Sequence, residues 1–299
     1  SDVQHSVDCG VDAVAISISS SDIHIEHKLG KDRQWVLDSV KKAVSFAKDK
    51  DLYVSVNAED ASRSDQDFLI EFAQNAREAG ADRLRFCDTV GILDPLQTYK
   101  HVKALTDAVD IDIEMHTHND FGMATANAIA GLEAGAAYVN TTVNGLGERA
   151  GNASMEELVM ALRYTQGVQM DIQTSLFREL SEYVALASGR AIPTWKPVVG
   201  GNLFVYESEG RAAGVVRDPD TYEMFLPGEV GLMRRFSVGK YSGLNVVSRK
   251  LREQGYHASR EDLVKLVPIL RSRAIALKRS LFDNEVIEAY LMFRERKIA

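Results

Sequence analysis

Two histidines separated by one residue, His116-Thr117-His118, close a β-rich run at residues 111–116. Side chains alternate along an extended chain, so both imidazoles fall on the same side of the strand end. Two neutral imidazoles so placed can share one divalent ion, whereas the plainer reading of His-x-His is a polar strand end. The neighbours favour the metal reading. Asn119-Asp120 and the loop Gly145-Leu146-Gly147-Glu148-Arg149-Ala150-Gly151-Asn152 would offer an oxygen ligand and fixed backbone donors from the adjacent strand end. Glu59 and Arg63 have the spacing of a surface ion pair on a helix, but their place just after another β-rich run assigns them to a site. Thr89, after Asp88, reads by itself as a helix or turn cap, and His24 as a polar loop residue.

Elements that could hold these groups recur in a fixed order. β-rich runs at residues 13–19, 52–57, 83–87, 111–116 and 137–143 alternate with amphipathic stretches, in which Trp35, Leu37, Val40, Val44 and Ala47 share one face and Phe68, Leu69, Phe72, Ala73 and Ala76 another. Repeated β-α units require a parallel sheet, doubly wound or closed into a barrel. Polar clusters follow every strand: Ser19-Ser20-Ser21-Asp22, Asn57-Ala58-Glu59-Asp60, Cys87-Asp88-Thr89, His116 through Asp120, and Asn144 through Arg149. Five successive strand ends feeding one rim is the behaviour of a TIM (β/α)8 barrel, because a doubly wound sheet uses only the strands at its switch point. The expected fold is therefore α/β, a TIM barrel with three strands unaccounted for, over residues 1–192. Pro193, Pro197 and Gly200-Gly201 then open a linker and a small, mostly helical appendage over 193–299, with helical runs at 259–279 and 284–296 and Pro268 expected to interrupt or kink the first.

Composition narrows the function. The 299 residues are 45% hydrophobic, and the net charge of −8 is spread along the chain. That balance argues against a nucleic-acid-binding face or an anionic-membrane surface and for a small-molecule enzyme. Cys9 and Cys87 match no metal or redox motif, so they read as packing residues of a reduced, cytoplasmic protein. No apolar run reaches the roughly 20 residues of a membrane span, and the first five residues have no signal-peptide character.

The strings Ser21-Asp22-Ile23-His24, Glu59-Asp60-Ala61-Ser62-Arg63, Asp88-Thr89-Val90-Gly91, His116 through Asp120 and Gly145 through Asn152 occur in this order on five strand ends. Over residues 11–162 the chain resembles the metal-dependent condensing and cleaving TIM-barrel enzymes that include isopropylmalate, homocitrate and citramalate synthases and hydroxymethylglutaryl-CoA lyase. Residues 27–33, His-Lys-Leu-Gly-Lys-Asp-Arg, and 140–144, Asn-Thr-Thr-Val-Asn, look most like the homocitrate synthases associated with nitrogen fixation. The resemblance implies a divalent metal, Mg²⁺, Mn²⁺ or Zn²⁺, held by His116, His118 and Asn152. It implies Glu59, Thr89 and Tyr222 in the chemistry, with His24, Arg63, Thr142 and Asn144 binding substrate. The implied reaction joins acetyl-CoA to a 2-oxo acid by Claisen condensation, with 2-oxoglutarate the preferred acceptor and a homodimer the expected assembly. A 2-isopropylmalate- or citramalate-type synthase, a related lyase or aldolase, and a non-catalytic subunit needing a partner are the alternatives.

Two departures from the family accompany the resemblance. The Asp-Arg-Glu or Arg-Asp-Gly motif of the family's first strand is absent, which makes the five visible strands the fourth to eighth; a wall open by three strands is expected to expose a hydrophobic interior. In the appendage, Phe204-Val205-Tyr206-Glu207-Ser208-Glu209-Gly210-Arg211 and Gly239-Lys240-Tyr241-Ser242-Gly243 carry Tyr206, Arg211 and Tyr241 where the family has histidines. Arginine cannot act as an acid or base, which leaves Tyr206 or Tyr222 to do so. Little homocitrate formation is expected from the 299 residues alone.

Overall fold

A computed structural model describes residues 2–298, with side chains through residue 295. Two compact units divide at Met170 and Asp171. In the first, five strands run parallel in sequence order: β1 (Ala13–Ser19), β2 (Tyr53–Glu59), β3 (Arg83–Asp88), β4 (Asp112–Thr117) and β5 (Tyr138–Asn140). Each strand pairs with its predecessor, without the reversal of order that marks a doubly wound sheet. This is the barrel arrangement expected, holding five of a TIM barrel's eight strands.

The helices form where the sequence supplies both a cap and an apolar face. Asp32, Asp65 and Asp94 each accept a hydrogen bond from a backbone N–H in the first turn of the helices Arg33–Lys48, Gln66–Glu78 and Pro95–Ala108, each cap contributing about 1 kcal/mol. Phe68, Leu69, Phe72, Ala73 and Ala76 are all buried, as are Leu37, Val40, Val44 and Ala47. Trp35 departs from its expected place on that face. It lies in the first helical turn, 41% exposed, with the Lys31 ammonium 5.4 Å from its ring, and Val36 takes the inward position.

The two faces of the sheet differ in chemistry. Val54, Val56, Ala58, Leu84, Phe86, Ile113 and Met115 are buried in the core under the helices, each large side chain contributing about 1.5–3 kcal/mol. The alternate positions form the lumen face: Ser17, Ser55, Asn57, Glu59, Arg83, Arg85, Glu114, His116 and Asn140. The expected hydrophobic interior is thus corrected. Positional alternation places polar side chains in the lumen because the helices alone cover the apolar face.

The fifth strand ends at Asn140, earlier than its β-rich composition suggests. Thr142 instead bridges to Ser154, and Val143–Gly145 turns with Asn144 at φ 62°.

The second unit contains helices Phe177–Ser188, Glu209–Arg217, Leu244–Glu253, Arg260–Leu277 and Asp283–Ile298, with a short parallel ladder between Val205–Tyr206 and Arg235–Phe236. The stretch after residue 170 belongs here because Arg178 donates to the Val199 carbonyl at 2.5 Å and the turn at Thr174–Leu176 packs on that at Pro227–Val230. Arg260–Leu277 runs through Pro268 without the expected interruption. Leu263, Leu266, Val267, Leu270 and Ala274 are buried around the proline, and that packing offsets its lost hydrogen bond. No described helix is long and apolar enough to cross a membrane.

Candidate active site

β4 delivers His116 at its end and His118 two residues on, with ring centroids 5.1 Å apart and planes at 82°. Asn140, the neighbour of His116 in the sheet register, places Oδ1 2.9 Å from His116 Nδ1. An amide oxygen only accepts, so the imidazole proton sits on Nδ1 and Nε2 keeps its lone pair, the arrangement of a metal-ligating histidine. Burial lowers the proton affinity of both histidines. For His116 this outweighs the Asn140 hydrogen bond that opposes it, and for His118 the charges of His116 and Arg149 act in the same direction as burial. Both rings are neutral donors at neutral pH.

The loop after β5 folds back to place Asn152 beside them. Asn119 N–H donates to Gly151 O at 2.9 Å, Asn152 N–H to Gly145 O at 3.0 Å, and Asn152 forms an antiparallel bridge with His118. Its Nδ2 donates to Thr117 O at 3.2 Å and lies 3.5 Å from His118 Nδ1. The close approach needs glycine. A Cβ at Gly147 would meet Asn152 Oδ1 at 2.0 Å, and one at Gly151, where φ is +96°, would meet the Gly145 carbonyl at 2.0 Å. Two imidazoles and an amide suit a divalent ion of borderline hardness. No cluster of three His, Cys, Asp or Glu completes that set among the described residues.

A second group sits at the ends of β1 to β3. Glu59, the last residue of β2, accepts from Lys28 Nζ at 2.6 and 2.7 Å and from Ser19 Oγ at 3.0 Å. Arg63 does not pair with Glu59. Its Nε donates to both oxygens of Asp60 at 2.9 and 3.0 Å, and Asp60, wholly buried with φ 62°, also accepts from Ser21 Oγ. His24 lies between the two carboxylates, 3.9 Å from Glu59 and 3.7 Å from Asp60. Thr89 Oγ1 accepts from the Asp60 N–H at 2.8 Å, which leaves its own proton to donate. The turn after β3 is held instead by Asp88, whose carboxylate accepts from the Ile92 and Leu93 N–H groups, while Asp94 caps the helix that follows.

Arg149 ties this group to the histidine loop. Its guanidinium spans Asp120 at 2.9 Å and the Thr89 carbonyl at 2.6 Å, and that hydrogen bond holds the Asp120 carboxyl below its ordinary range. Thr142 Oγ1 is buried without a hydrogen-bond partner among the described residues, and the Asn144 N–H donates to Glu156 at 3.2 Å.

Tyr222 lies in the second unit, 55% exposed. Tyr206 is buried there and donates to Glu223 Oε1 at 3.0 Å. Arg234 grips the same carboxylate at 2.5 Å, and burial followed by the Glu223 bond pushes the phenol up to about 12. A phenol so held is a poor proton donor near neutral pH.

Sequence reading missed Lys28, Arg83, Arg85 and Glu114, although period-two alternation upstream of Cys87 and His116 would have put the last three on the lumen face. Cys87, on that face, is buried, which pushes its thiol up to about 12, while Cys9 is exposed. A thiol reagent at pH 8 is therefore expected to modify one cysteine per native chain and two after denaturation, since the thiolate is the reactive form. Rapid labelling of both in the native protein would contradict the packing described.

Comparisons with known proteins place this geometry. The HMGL-like family matches residues 1–184, and a homocitrate synthase post-HMGL domain-like family matches 198–277. "2-isopropylmalate synthase 2" of Caldanaerobacter subterraneus subsp. tengcongensis is 62% identical over 97% of this chain and 75% of its own length. "Homocitrate synthase 1" of a Nostoc species is 50% identical over 96% of this chain and 76% of its own. The hydroxymethylglutaryl-CoA lyase of Pseudomonas aeruginosa superposes with a TM-score of 0.57 at 18% identity, covering 63% of this chain and 67% of that one, which is a likeness of fold. With matches across both units and identities this high, the chain belongs to the HMGL-like family, among its synthases that carry the homocitrate synthase post-HMGL domain.

Proposed function

We propose that the protein condenses acetyl-CoA with a 2-oxo acid, with His116, His118 and Asn152 holding a divalent metal at the rim. The observation that carries this reading is the pair of neutral, adjacent imidazoles with an amide pinned beside them, next to Glu59 and Thr89 on neighbouring strand ends. Bound there, the ion would supply Lewis acidity toward the oxo acid. The Thr89 hydroxyl, oriented by the Asp60 N–H, donates to the substrate carboxylate. Glu59, steadied by Lys28 and Ser19, accepts a proton from the acetyl methyl group. His24, Arg63, Thr142 and Asn144 line the same rim as substrate contacts, and Tyr222 is the remaining candidate acid once Tyr206 is committed to Glu223. A cytoplasmic homodimer completes the proposal.

The sequence motifs favoured homocitrate synthesis. Relatives' names support the alternative more strongly, since the one named for 2-isopropylmalate is 62% identical and the one named for homocitrate 50%. The test is release of free CoA from acetyl-CoA across a panel of 2-oxo acids with Mn²⁺, read with a thiol reagent and by mass spectrometry of the product. The replaced histidines remove an acid/base group, so turnover is expected at least about 10²-fold below that of a synthase retaining them. CoA release that no 2-oxo acid raises above background would overturn the condensing reading.

A further inference from the structure

Below the histidines, the lumen face carries a charged row that the rim chemistry does not use. Arg85 of β3 sits opposite Asn57 of β2 on one side and Glu114 of β4 on the other, with Ser17 beyond Asn57 and Tyr138 beyond Glu114. Glu114 is 3% exposed and ion-paired to both arginines, Arg83 Nε and Arg85 Nη2 each at 2.9 Å. One carboxylate between two guanidiniums leaves the group with a net positive charge.

The two arginines are not equivalent. Arg83 is stacked between Tyr53 and Tyr138, at 5.7 and 5.1 Å from their ring centroids. Arg85 has no such packing. Its one described side-chain contact is the Nη2–Glu114 ion pair. The buried Nε of each arginine lacks a hydrogen-bond partner among the described residues, so what sets Arg85 apart is the absence of a described ring stack and its place one row nearer the histidines. A buried guanidinium N–H left without an acceptor is unfavourable, so a ligand oxygen that accepts from it is stabilised there.

Position suggests what that is. Glu114 and His116 are two residues apart on β4, so Arg85 lies one row, about 6.6 Å, below the metal-binding rim. That is close to the span from the oxo group to the far carboxylate of a five-carbon 2-oxo dicarboxylate. The described residues of this row and the one below include no aliphatic side chain larger than alanine, Ala15, to receive a branched alkyl group.

We propose that Arg85 binds the distal carboxylate of a dicarboxylic 2-oxo acid, so that it sets the acceptor class of this enzyme. The inference rests on the condensing reading for the identity of the oxo acid and runs against the name of the 62% identical relative. The guanidinium offers Nε and its free Nη hydrogens to the carboxylate while Glu114 holds Nη2, a fork that matches carboxylate geometry.

The test compares 2-oxoglutarate with 2-oxoisovalerate, first by calorimetric binding to the Mn²⁺-loaded protein and then by CoA release. The unmodified protein is expected to bind 2-oxoglutarate more tightly. Arg85→Gln is expected to reduce the ratio of 2-oxoglutarate to 2-oxoisovalerate affinity about 10- to 100-fold, through KM rather than kcat, and Arg85→Lys to recover part of that loss as a point charge. If Arg85→Gln fails to fold because Glu114 is left with Arg83 as its one described ion-pair partner, Arg85→Gln/Glu114→Gln removes both charges and carries the same expectation. Arg85-dependent binding of 2-oxoglutarate without CoA release would uphold this inference while sinking the condensing reading. Preference for 2-oxoisovalerate, or a ratio unmoved by both variants, would overturn the inference and leave the condensing reading intact. Binding of neither acid would overturn it too.

Discussion

His116→Ala/His118→Ala is expected to abolish divalent-ion binding, lowering Mn²⁺ occupancy after dialysis from near one per chain to background. Each imidazole presents a nitrogen lone pair at the same rim, and Asn152 alone cannot hold the ion against water. Loss of a Lewis acid removes several kcal/mol of stabilisation from the developing oxyanion, so CoA release should fall by at least about 10³-fold. Folding should survive, because both side chains lie at a strand end outside the apolar core, and their described bonds are to Asn140 and Asn152. Electron paramagnetic resonance of Mn²⁺ together with far-ultraviolet circular dichroism separates the two effects. Unchanged Mn²⁺ affinity in a folded double variant would refute the assignment of these ligands.

Glu59→Gln should lower kcat by about 10²–10⁴-fold with less than about a tenfold change in acceptor KM, the signature of a lost proton acceptor. The competing account makes Glu59 a partner for Lys28 and nothing more. That account is quantitatively weak: the ion pair is 29% exposed on the glutamate side and 50% on the lysine side, and such pairs contribute about 0–1 kcal/mol. Lys28→Met discriminates between them. It removes the same ion pair while leaving the carboxylate, so a loss of kcat matching that of Glu59→Gln would show that orientation, rather than proton transfer, is what Glu59 provides. Exchange of the acetyl-CoA methyl protons with deuterium oxide gives an independent reading and should vanish in Glu59→Gln alone.

The order of elements, the parallel sheet and the rim were all legible in the sequence, because each follows from local periodicity and from the recurrence of polar residues after each strand. Apolar residues at helical spacing placed Phe68, Leu69 and Phe72 in the core, and period-two alternation put His116 and His118 on one side. Contacts between segments distant in the chain could not be read that way. Spacing suggested Glu59 with Arg63; the fold gives Arg63 to Asp60 and Glu59 to Lys28, because Asp60 takes a left-handed conformation that turns its carboxylate inward at the strand end. Nor did sequence reveal that Tyr206 is locked against Glu223 and Arg234, since three segments must meet to make that contact. The charged lumen row follows the same division. Alternation alone makes Arg83, Arg85, Glu114 and His116 candidates for one face, but only the register of β3 against β4 sets Arg85 beside Glu114. Only the tertiary structure stacks Arg83 between two tyrosines and leaves Arg85, whose Nε is likewise unpaired among the described residues, nearer the histidines and without a described ring against it. Register is a property of two strands together, fixed by how their apolar faces pack under the helices, and no single segment encodes it.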